Sequence, residues 1–231
     1  MTGTLGGLAA AGAFLLLTHF GISSTPLRAA LAGRLGEKGY LGLYALIAAL
    51  AFVWLVWAYA TAPLVPLWNV EPWQRWVPLL AMPVALLLII AGESTPNPTA
   101  VGRSALLESA DPARGILRVT RNPFLWGVAL WALAHIVPNG DAASLLLFGT
   151  LAVLALVGSV LIDAKLARRR PDAWARYSAV TSNVPFAAIL AGRQRLVLGE
   201  FRGRLPLVVL VVYVALLLLH PWLFGVSPLP L

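Results

Sequence analysis

The sequence contains no cysteine, which excludes disulfides, iron–sulfur clusters, thiolate metal ligands and a cysteine nucleophile. Charged residues are scarce as well, since they make up only 11% of the 231 residues, far below their share in soluble domains. Phosphate-binding glycine loops, zinc-ligand spacings and nucleophile–base signatures are also absent. Metal ligation is therefore left to histidine and oxygen atoms, and the sequence offers no motif of a soluble enzyme.

Apolar residues are what the sequence has in abundance. They account for 60% of the chain, and the mean hydropathy is +0.84, which is typical of an integral membrane protein. The net charge of +8 would suggest a nucleic-acid partner in a soluble protein. Here the Lys and Arg residues lie between apolar runs, where cytoplasmic loops carry them. We therefore predict a lipid bilayer as the partner, and no nucleic acid.

The apolar residues fall into six segments that reach or approach the roughly 20 residues needed to span a membrane. The predicted fold is all-α, a polytopic helical bundle of about six transmembrane helices in a single domain over residues 1–231. The fourth segment is the shortest, and to span it must begin in the preceding "VTRN". The segments are approximately Leu5–Ile22, Gly39–Ala62, Trp76–Gly92, Pro123–Val137, Ala142–Ile162 and Leu205–His220.

The distribution of Lys and Arg between these segments predicts the orientation. The first, third and fifth links hold three, four and nine basic residues, whereas the second holds only Arg75 and the fourth holds none. The odd-numbered links are therefore predicted to be cytoplasmic, with both termini outside, in the periplasm. This pattern indicates a multi-pass protein of the bacterial inner, cytoplasmic membrane.

Two of the three histidines, His19 and His135, lie in predicted membrane segments. Ionisable groups inside a bilayer are costly and often mark a function. Two neutral imidazoles on separate helices can ligate one haem iron from opposite faces, although each could instead bond to a neighbouring helix. His19 is predicted towards the cytoplasmic half and His135 towards the outer half. A haem in the membrane plane tolerates that offset, and an upright haem does not.

Basic residues precede the fourth segment. Arg114, Arg118 and Arg121 are spaced i, i+4 and i+7, so a helix there would align them in one stripe. The stripe could anchor the chain to anionic headgroups or clamp haem propionates or another anion, with Arg118 and Arg121 nearest the fourth helix. Asp163 is expected to pair with Lys165 or a nearby arginine, and Asp141 to cap the fifth helix.

Four blocks of the sequence resemble a known family. They contain "LLLTHFGISSTPLRAAL", "VTRNPFLWGVALWALAHIVPNGD", "TSNVPFAAILAGRQ" and "HPWLFGVSP", and they resemble the NnrU family of bacterial membrane proteins, which is similar to 15-cis-zeta-carotene isomerase. The resemblance implies a b-type haem ligated by the residues at His19 and His135. The sequence departs from the isomerase pattern at two positions. Ala132 stands where the isomerase has a cysteine, which excludes a thiolate ligand switch, and Asn122 replaces the histidine of an Arg-His-Pro turn.

The resemblance favours a haem-binding membrane protein with a redox, nitric-oxide-related or cis–trans isomerase-like role. Its ligand would be hydrophobic or a small gas. Haem binding is expected to survive the two departures better than carotenoid isomerisation. One alternative is a non-enzymatic accessory protein of denitrification or respiratory reductase assembly. Another is a membrane methyltransferase, because "RRPDAWARYSAV" and "VPF" resemble the tail of isoprenylcysteine and phospholipid methyltransferases.

Overall fold

The chain forms a bundle of α-helices in a computed structural model that describes residues 3–22, 25–201 and 203–230. Within those ranges there is no β-strand, only an isolated bridge between Pro66 and Asp141. A π-helical turn, Thr18–Ile22, extends the first helix, and 3-10 turns precede α3 and α8. The helices are α1 Leu5–Leu17, α2 Leu27–Thr61, α3 Trp76–Ser94, α4 Pro123–Asn139, α5 Ala142–Arg169, α6 Pro171–Val180, α7 Ala187–Leu190 and α8 Leu205–Phe224.

The predicted membrane helices are all present. Five helices are long and apolar enough to cross a membrane, namely α1 with its π turn, α2, α3, α5 and α8. This confirms a multi-pass helical membrane protein. The fourth, α4, is apolar but shorter, at 17 residues, or about 25 Å. Its predicted start at Pro123 is confirmed, since Pro123 occupies the first turn, and the preceding "VTRN", which a full span would require, is not helical. Proline suits that first position, where its missing N–H has no partner to lose.

The long helix α2 is broken near its start. Gly36 adopts φ 72° and ψ 161°, a conformation open to glycine but strained for other residues. The segment before Gly36 carries Arg28 and Arg34, and the apolar membrane helix follows it. The predicted start of this span at Gly39 therefore agrees with the break rather than with the first helical residue.

Helices α3 and α4 pack closely because both carry glycine at their contact. A Cβ added to Gly127 would lie 2.7 Å from the carbonyl oxygen of Ala85, and one added to Gly92 would lie 2.8 Å from the backbone nitrogen of Phe124. Helix α5 packs on α4 and α1, and α2 closes the other side. The peripheral helix α8 packs mainly on α3, where the Tyr213 hydroxyl donates to the Leu79 carbonyl at 3.0 Å.

The alternation of antiparallel helices collects the basic links at one end of the bundle, called here the basic end. At the opposite end Gly140, with φ 67°, terminates α4, and the Asp141 side chain accepts the Ser144 N–H at 2.9 Å, which confirms the predicted cap of α5. At the basic end α5 continues beyond Ile162 to Arg169. The short amphipathic helix α6 follows there and packs back on α5.

Candidate functional site

The principal cavity is an apolar space of about 680 Å³ between α3, α4 and α8. It exists because α8 rests mainly on α3 and leaves a gap beside α4. The segments at the basic end form its floor, and no ionisable side chain lines it. Val84 and Leu133 on its walls are 51% and 47% exposed, so the cavity opens towards the apolar belt of the bundle. Such a space fits a hydrophobic ligand.

Two aromatic residues of the cavity wall are held in place by hydrogen bonds to residues at the basic end. Trp126 lines the cavity, and its indole N–H donates to Asn183 Oδ1 at 3.1 Å. Phe186 also lines it and has φ 64°, a conformation that strains a residue with a side chain. The Phe186 N–H donates to the Val119 carbonyl at 2.8 Å, which helps hold that conformation. The cavity wall is thus fixed by polar contacts outside it.

A partly buried ion pair joins the loop before α4 to helix α5. The Arg121 guanidinium binds Asp163 Oδ2 through Nε at 2.9 Å and Nη2 at 2.7 Å, and the two side chains are only 14% and 13% exposed. Arg121 also donates to the Thr181 carbonyl at 3.2 Å, and its guanidinium lies 5.0 Å from the Trp174 ring centre. The expected partner of Asp163, Lys165 or a nearby arginine, is therefore an arginine 42 positions earlier in the chain.

Asparagine amides extend this ion pair into a network beneath the cavity. Asn122 Nδ2 donates to Asp163 Oδ1 at 3.1 Å and to Asn183 Oδ1 at 3.3 Å. Asn183 Nδ2 in turn donates to Ser159 Oγ at 3.0 Å. Since Asn183 Oδ1 also accepts from Trp126, the network connects the cavity wall to α5. Asn122, the residue that departs from the family pattern, is 2% exposed and sits within it.

The predicted arginine stripe does not form, because Gly115–Arg118 is a 3-10 turn and the following residues are not helical. Arg118 instead binds Glu200 through two parallel bonds of 2.8 Å, and Glu200 also accepts the Gly115 N–H at 2.5 Å. Gln194 accepts a further Arg118 bond at 2.9 Å. These contacts, called here the Glu200 latch, fasten the segment between α7 and α8, which supplies Leu196, Leu198 and Phe201 to the cavity.

The Glu200 latch shifts the pKa values of both its charged residues. The hydrogen bonds from Arg118 lower the pKa of Glu200, and the Gly115 N–H acts in the same direction. Reciprocally, the bond to Glu200 raises the pKa of Arg118. Both predicted anion-clamp residues, Arg118 and Arg121, thus already hold carboxylates of this chain. Near the second of these pairs, burial raises the pKa of the Tyr177 phenol.

Glu200→Gln is expected to loosen the latch at neutral pH. Because the folded pKa of Glu200 is lowered, its contribution is complete above the ordinary glutamate value, about 4.3, and disappears as the pH falls through the folded pKa. The pair is partly exposed, so the expected loss is about 1 kcal/mol or less. Tryptic cleavage after Arg195 should be roughly threefold faster at pH 8, since cleavage follows local opening.

A matched control is Asp111→Asn, which removes a carboxylate 3.6 Å from the same guanidinium, on a side chain that is 58% exposed. We expect no change in cleavage for it. In thermal unfolding, Glu200→Gln and the parent should differ at pH 7 and converge at acidic pH. A difference that persists at low pH would contradict the role of the ionised carboxylate.

The two membrane histidines share a local geometry. The Nδ1–H of His19 donates to the Leu15 carbonyl, and that of His135 to the Trp131 carbonyl, each at 2.8 Å. A carbonyl oxygen only accepts, so Nδ1 carries a proton in both rings, and Nε2 is the nitrogen through which a neutral ring could bind a metal. The His19 ring lies 5.7 Å from the ring of Tyr44.

The two histidines lie at different depths in the bundle. Gly12 of α1 lies against Thr150 of α5, and the His135 ring centre lies 5.4 Å from that of Phe148. His19 is seven residues beyond Gly12 towards the basic end, and Phe148 is two residues from Thr150 in the other direction, so the histidines differ in depth by roughly 13 Å. Ligands of one metal ion bind it at about 2 Å. The offset has the direction expected from the sequence, under which only a haem roughly in the membrane plane would be held by both residues, and neither ring lines the apolar cavity.

Several residues of the site escaped sequence analysis. Asn183, Ser159 and Glu200 are ordinary polar residues whose partners in the network and the latch lie at least 24 positions away along the chain. Trp126 and Phe186 look like generic membrane aromatics. The one available signal was the placement of Asp163 near the end of an apolar helix, where an unpaired carboxylate is costly. That signal identified an important residue but not its partner.

The fold and the site define a polytopic helical membrane protein with a lipid-facing apolar cavity braced by a buried polar network. Comparison with protein families gives a match to the NnrU protein family over residues 7–228. The chain therefore belongs to the NnrU family. No solved structure gives a significant match.

Two curated relatives are plant enzymes of one name. The chain is 36% identical over 120 residues to the chloroplastic 15-cis-zeta-carotene isomerase of Arabidopsis thaliana, which covers 49% of the chain and 32% of that protein. It is 37% identical over 82 residues to the chloroplastic 15-cis-zeta-carotene isomerase of Zea mays, which covers 36% of the chain and 22% of that protein. The match thus spans a third or less of each relative's length.

Proposed function

We propose that this protein is an isomerase-like membrane protein that binds an elongated, water-insoluble polyene in the cavity between α3, α4 and α8. The cavity carries the proposal, because its volume of about 680 Å³ is lined by apolar residues and opens to the lipid-facing surface of the bundle. Similarity to enzymes named for a carotene supports a ligand of this class. We place the protein in a bacterial cytoplasmic membrane, with the basic end in the cytoplasm.

The cavity residues position a ligand rather than transfer protons to it. A polyene has no hydrogen-bonding group, so its binding depends on apolar contact area and shape. Trp126 and Phe186 present ring surfaces against which a conjugated chain can pack. The network behind Trp126 and the latch beside Phe201 hold this surface in one conformation, which lowers the entropy lost on binding.

Leu133→Trp tests the cavity directly. The larger indole would fill space now open to a ligand, and Leu133 is 47% exposed, so the substitution should not disturb the core. We expect the affinity for 15-cis-zeta-carotene to fall at least about tenfold, as for a blocked apolar pocket. Retention of polyene absorbance by the purified protein during gel filtration measures the affinity, and chromatography of the extracted polyene measures its isomer composition.

The matched control is Leu145→Trp, since Leu145 is 41% exposed on α5 and lies outside the cavity lining. It should bind the polyene as the parent does. Equal loss in both variants would count against the cavity. Binding with no change in isomer composition would overturn the catalytic part of the proposal and favour an accessory, ligand-holding role.

Haem binding stays a separate prediction. The Nδ1 contacts of His19 and His135 with backbone carbonyls hold both rings in one orientation, which supports these two residues as the predicted ligands. Protein purified from haem-replete cells should show a Soret band if a haem is bound. His19→Ala and His135→Ala, measured one at a time, would identify which imidazole holds it, and a stable preparation without the band would reject the prediction.

A further inference from the structure

A second pocket, of about 350 Å³, lies at the basic end between the start of α2 and the end of α5. We refer to it as the basic pocket. It combines polar and apolar surface, shares no lining residue with the apolar cavity, and is formed by residues that the proposed function does not use. Four of its seven lining residues are cationic, namely Arg28, Lys165, Arg168 and Arg169.

The charges of the basic pocket are poorly balanced. Arg28 pairs with Glu37 and stacks over the Tyr40 ring at 5.1 Å. By contrast, the side chains of Lys165, Arg168 and Arg169 form no ion pair or hydrogen bond with any residue that the structure describes. Lys165 and Arg169 lie one helical turn apart, where like charges repel. An anion bound between these side chains would remove the repulsion.

The surroundings of the basic pocket indicate what kind of anion fits. A guanidinium group binds two oxygens of one phosphate through parallel hydrogen bonds. The volume of the basic pocket is several times the roughly 30 Å³ occupied by one water molecule. On the same face of α5, about three turns from Arg168, Val157 is 40% exposed. Polar and apolar surfaces thus adjoin, as a molecule with a phosphate head and hydrocarbon chains requires.

We propose that the basic pocket binds a phosphate group, with the headgroup of an anionic phospholipid and soluble phosphate as its two possible sources. Arg168 and Arg169 grip the phosphate oxygens, and Lys165 adds a third positive charge. The bound phosphate joins the start of α2 to the end of α5. This site is independent of the proposed polyene cavity, and its ligand is bound without being chemically changed.

Binding is measured on the full chain, delipidated in a non-ionic detergent. The probes are phosphatidylglycerol, phosphatidylcholine with the same acyl chains, and inorganic phosphate, and the readout is the shift of the unfolding temperature. We expect a shift with phosphatidylglycerol that exceeds that with phosphatidylcholine. Arg168→Gln/Arg169→Gln should weaken phosphatidylglycerol binding at least about tenfold, and Arg168→Lys/Arg169→Lys should retain most of it.

The matched control removes two other arginines, Arg103→Gln/Arg176→Gln, which are exposed and form no ion pair with described residues. It lowers the net charge equally and should bind as the parent does. A shift with inorganic phosphate that matches the lipid shift would identify soluble phosphate as the source. Equal shifts with both phospholipids and none with phosphate, or equal loss in the control, would overturn the proposal. Neither result bears on polyene binding.

Discussion

Asp163→Ala is expected to destabilise the protein by about 2 kcal/mol, because removing one partner of a largely shielded ion pair leaves an uncompensated charge. Among the described residues, the Arg121 guanidinium would keep the carbonyl and hydroxyl oxygens of Thr181 and the Trp174 ring as partners. Asn122 would lose an acceptor in the same step. The free energy of unfolding, followed by circular dichroism during titration with a denaturing detergent, measures the effect.

The exposed pair of Arg170 and Glu108 provides the comparison. Their side chains are 36% and 60% exposed and they make the same type of bond at 2.6 Å. Glu108→Ala should cost at most about 1 kcal/mol, the usual range for a surface pair. Similar losses for Asp163→Ala and Glu108→Ala would show that burial adds nothing to the Arg121 pair.

Gly127→Ala is expected to cost about 2 kcal/mol by forcing α3 and α4 apart. The new methyl group would lie 2.7 Å from both the Ala85 carbonyl oxygen and Ile89 Cγ1. The carbonyl is backbone and cannot rotate away, so the helices themselves must move. The cavity shares these two helices as walls, and we therefore expect weaker polyene binding together with a lower unfolding free energy.

Gly158→Ala in α5 is the control for Gly127→Ala, because a Cβ there meets nothing within 4 Å. Alanine at that position should leave stability unchanged or raise it by up to about 1 kcal/mol, as expected for glycine replacement within a helix. If both substitutions destabilise alike, the loss reflects helix backbone effects in general and not the close contact of α3 with α4.

The helices could be predicted because a bilayer leaves little choice. A run of about 20 apolar residues without polar partners must form a helix to satisfy its backbone, and the segments at Trp76, Ala142 and Leu205 begin where the structure has them. The break at Gly36 was less visible, because one glycine among several does not reveal its φ angle. The helix α4 also begins at the predicted Pro123, and "VTRN" before it does not extend the helix because distant residues hold it.

The polar network could not be predicted for a related reason. Hydropathy identifies which residues are in the membrane but not which loops fold back on which helix ends. Arg118 and Arg121 suggested a helical stripe by spacing alone, yet Glu200 and Asp163 direct them to different places. Pairs separated by 82 and 42 positions are set by tertiary packing, which the spacing of neighbours along the chain does not encode.

The peripheral position of α8 determines the route by which a cavity ligand arrives. Val209 is the only buried residue of this helix, so hydrocarbon chains surround most of it, and the gap beside α4 faces them directly. A water-insoluble ligand therefore diffuses in the plane of the membrane and never crosses an aqueous phase. Occupancy then follows the mole fraction of ligand in the lipid. Doubling the lipid at a fixed amount of ligand would halve the driving concentration, even though the volume of the suspension is unchanged.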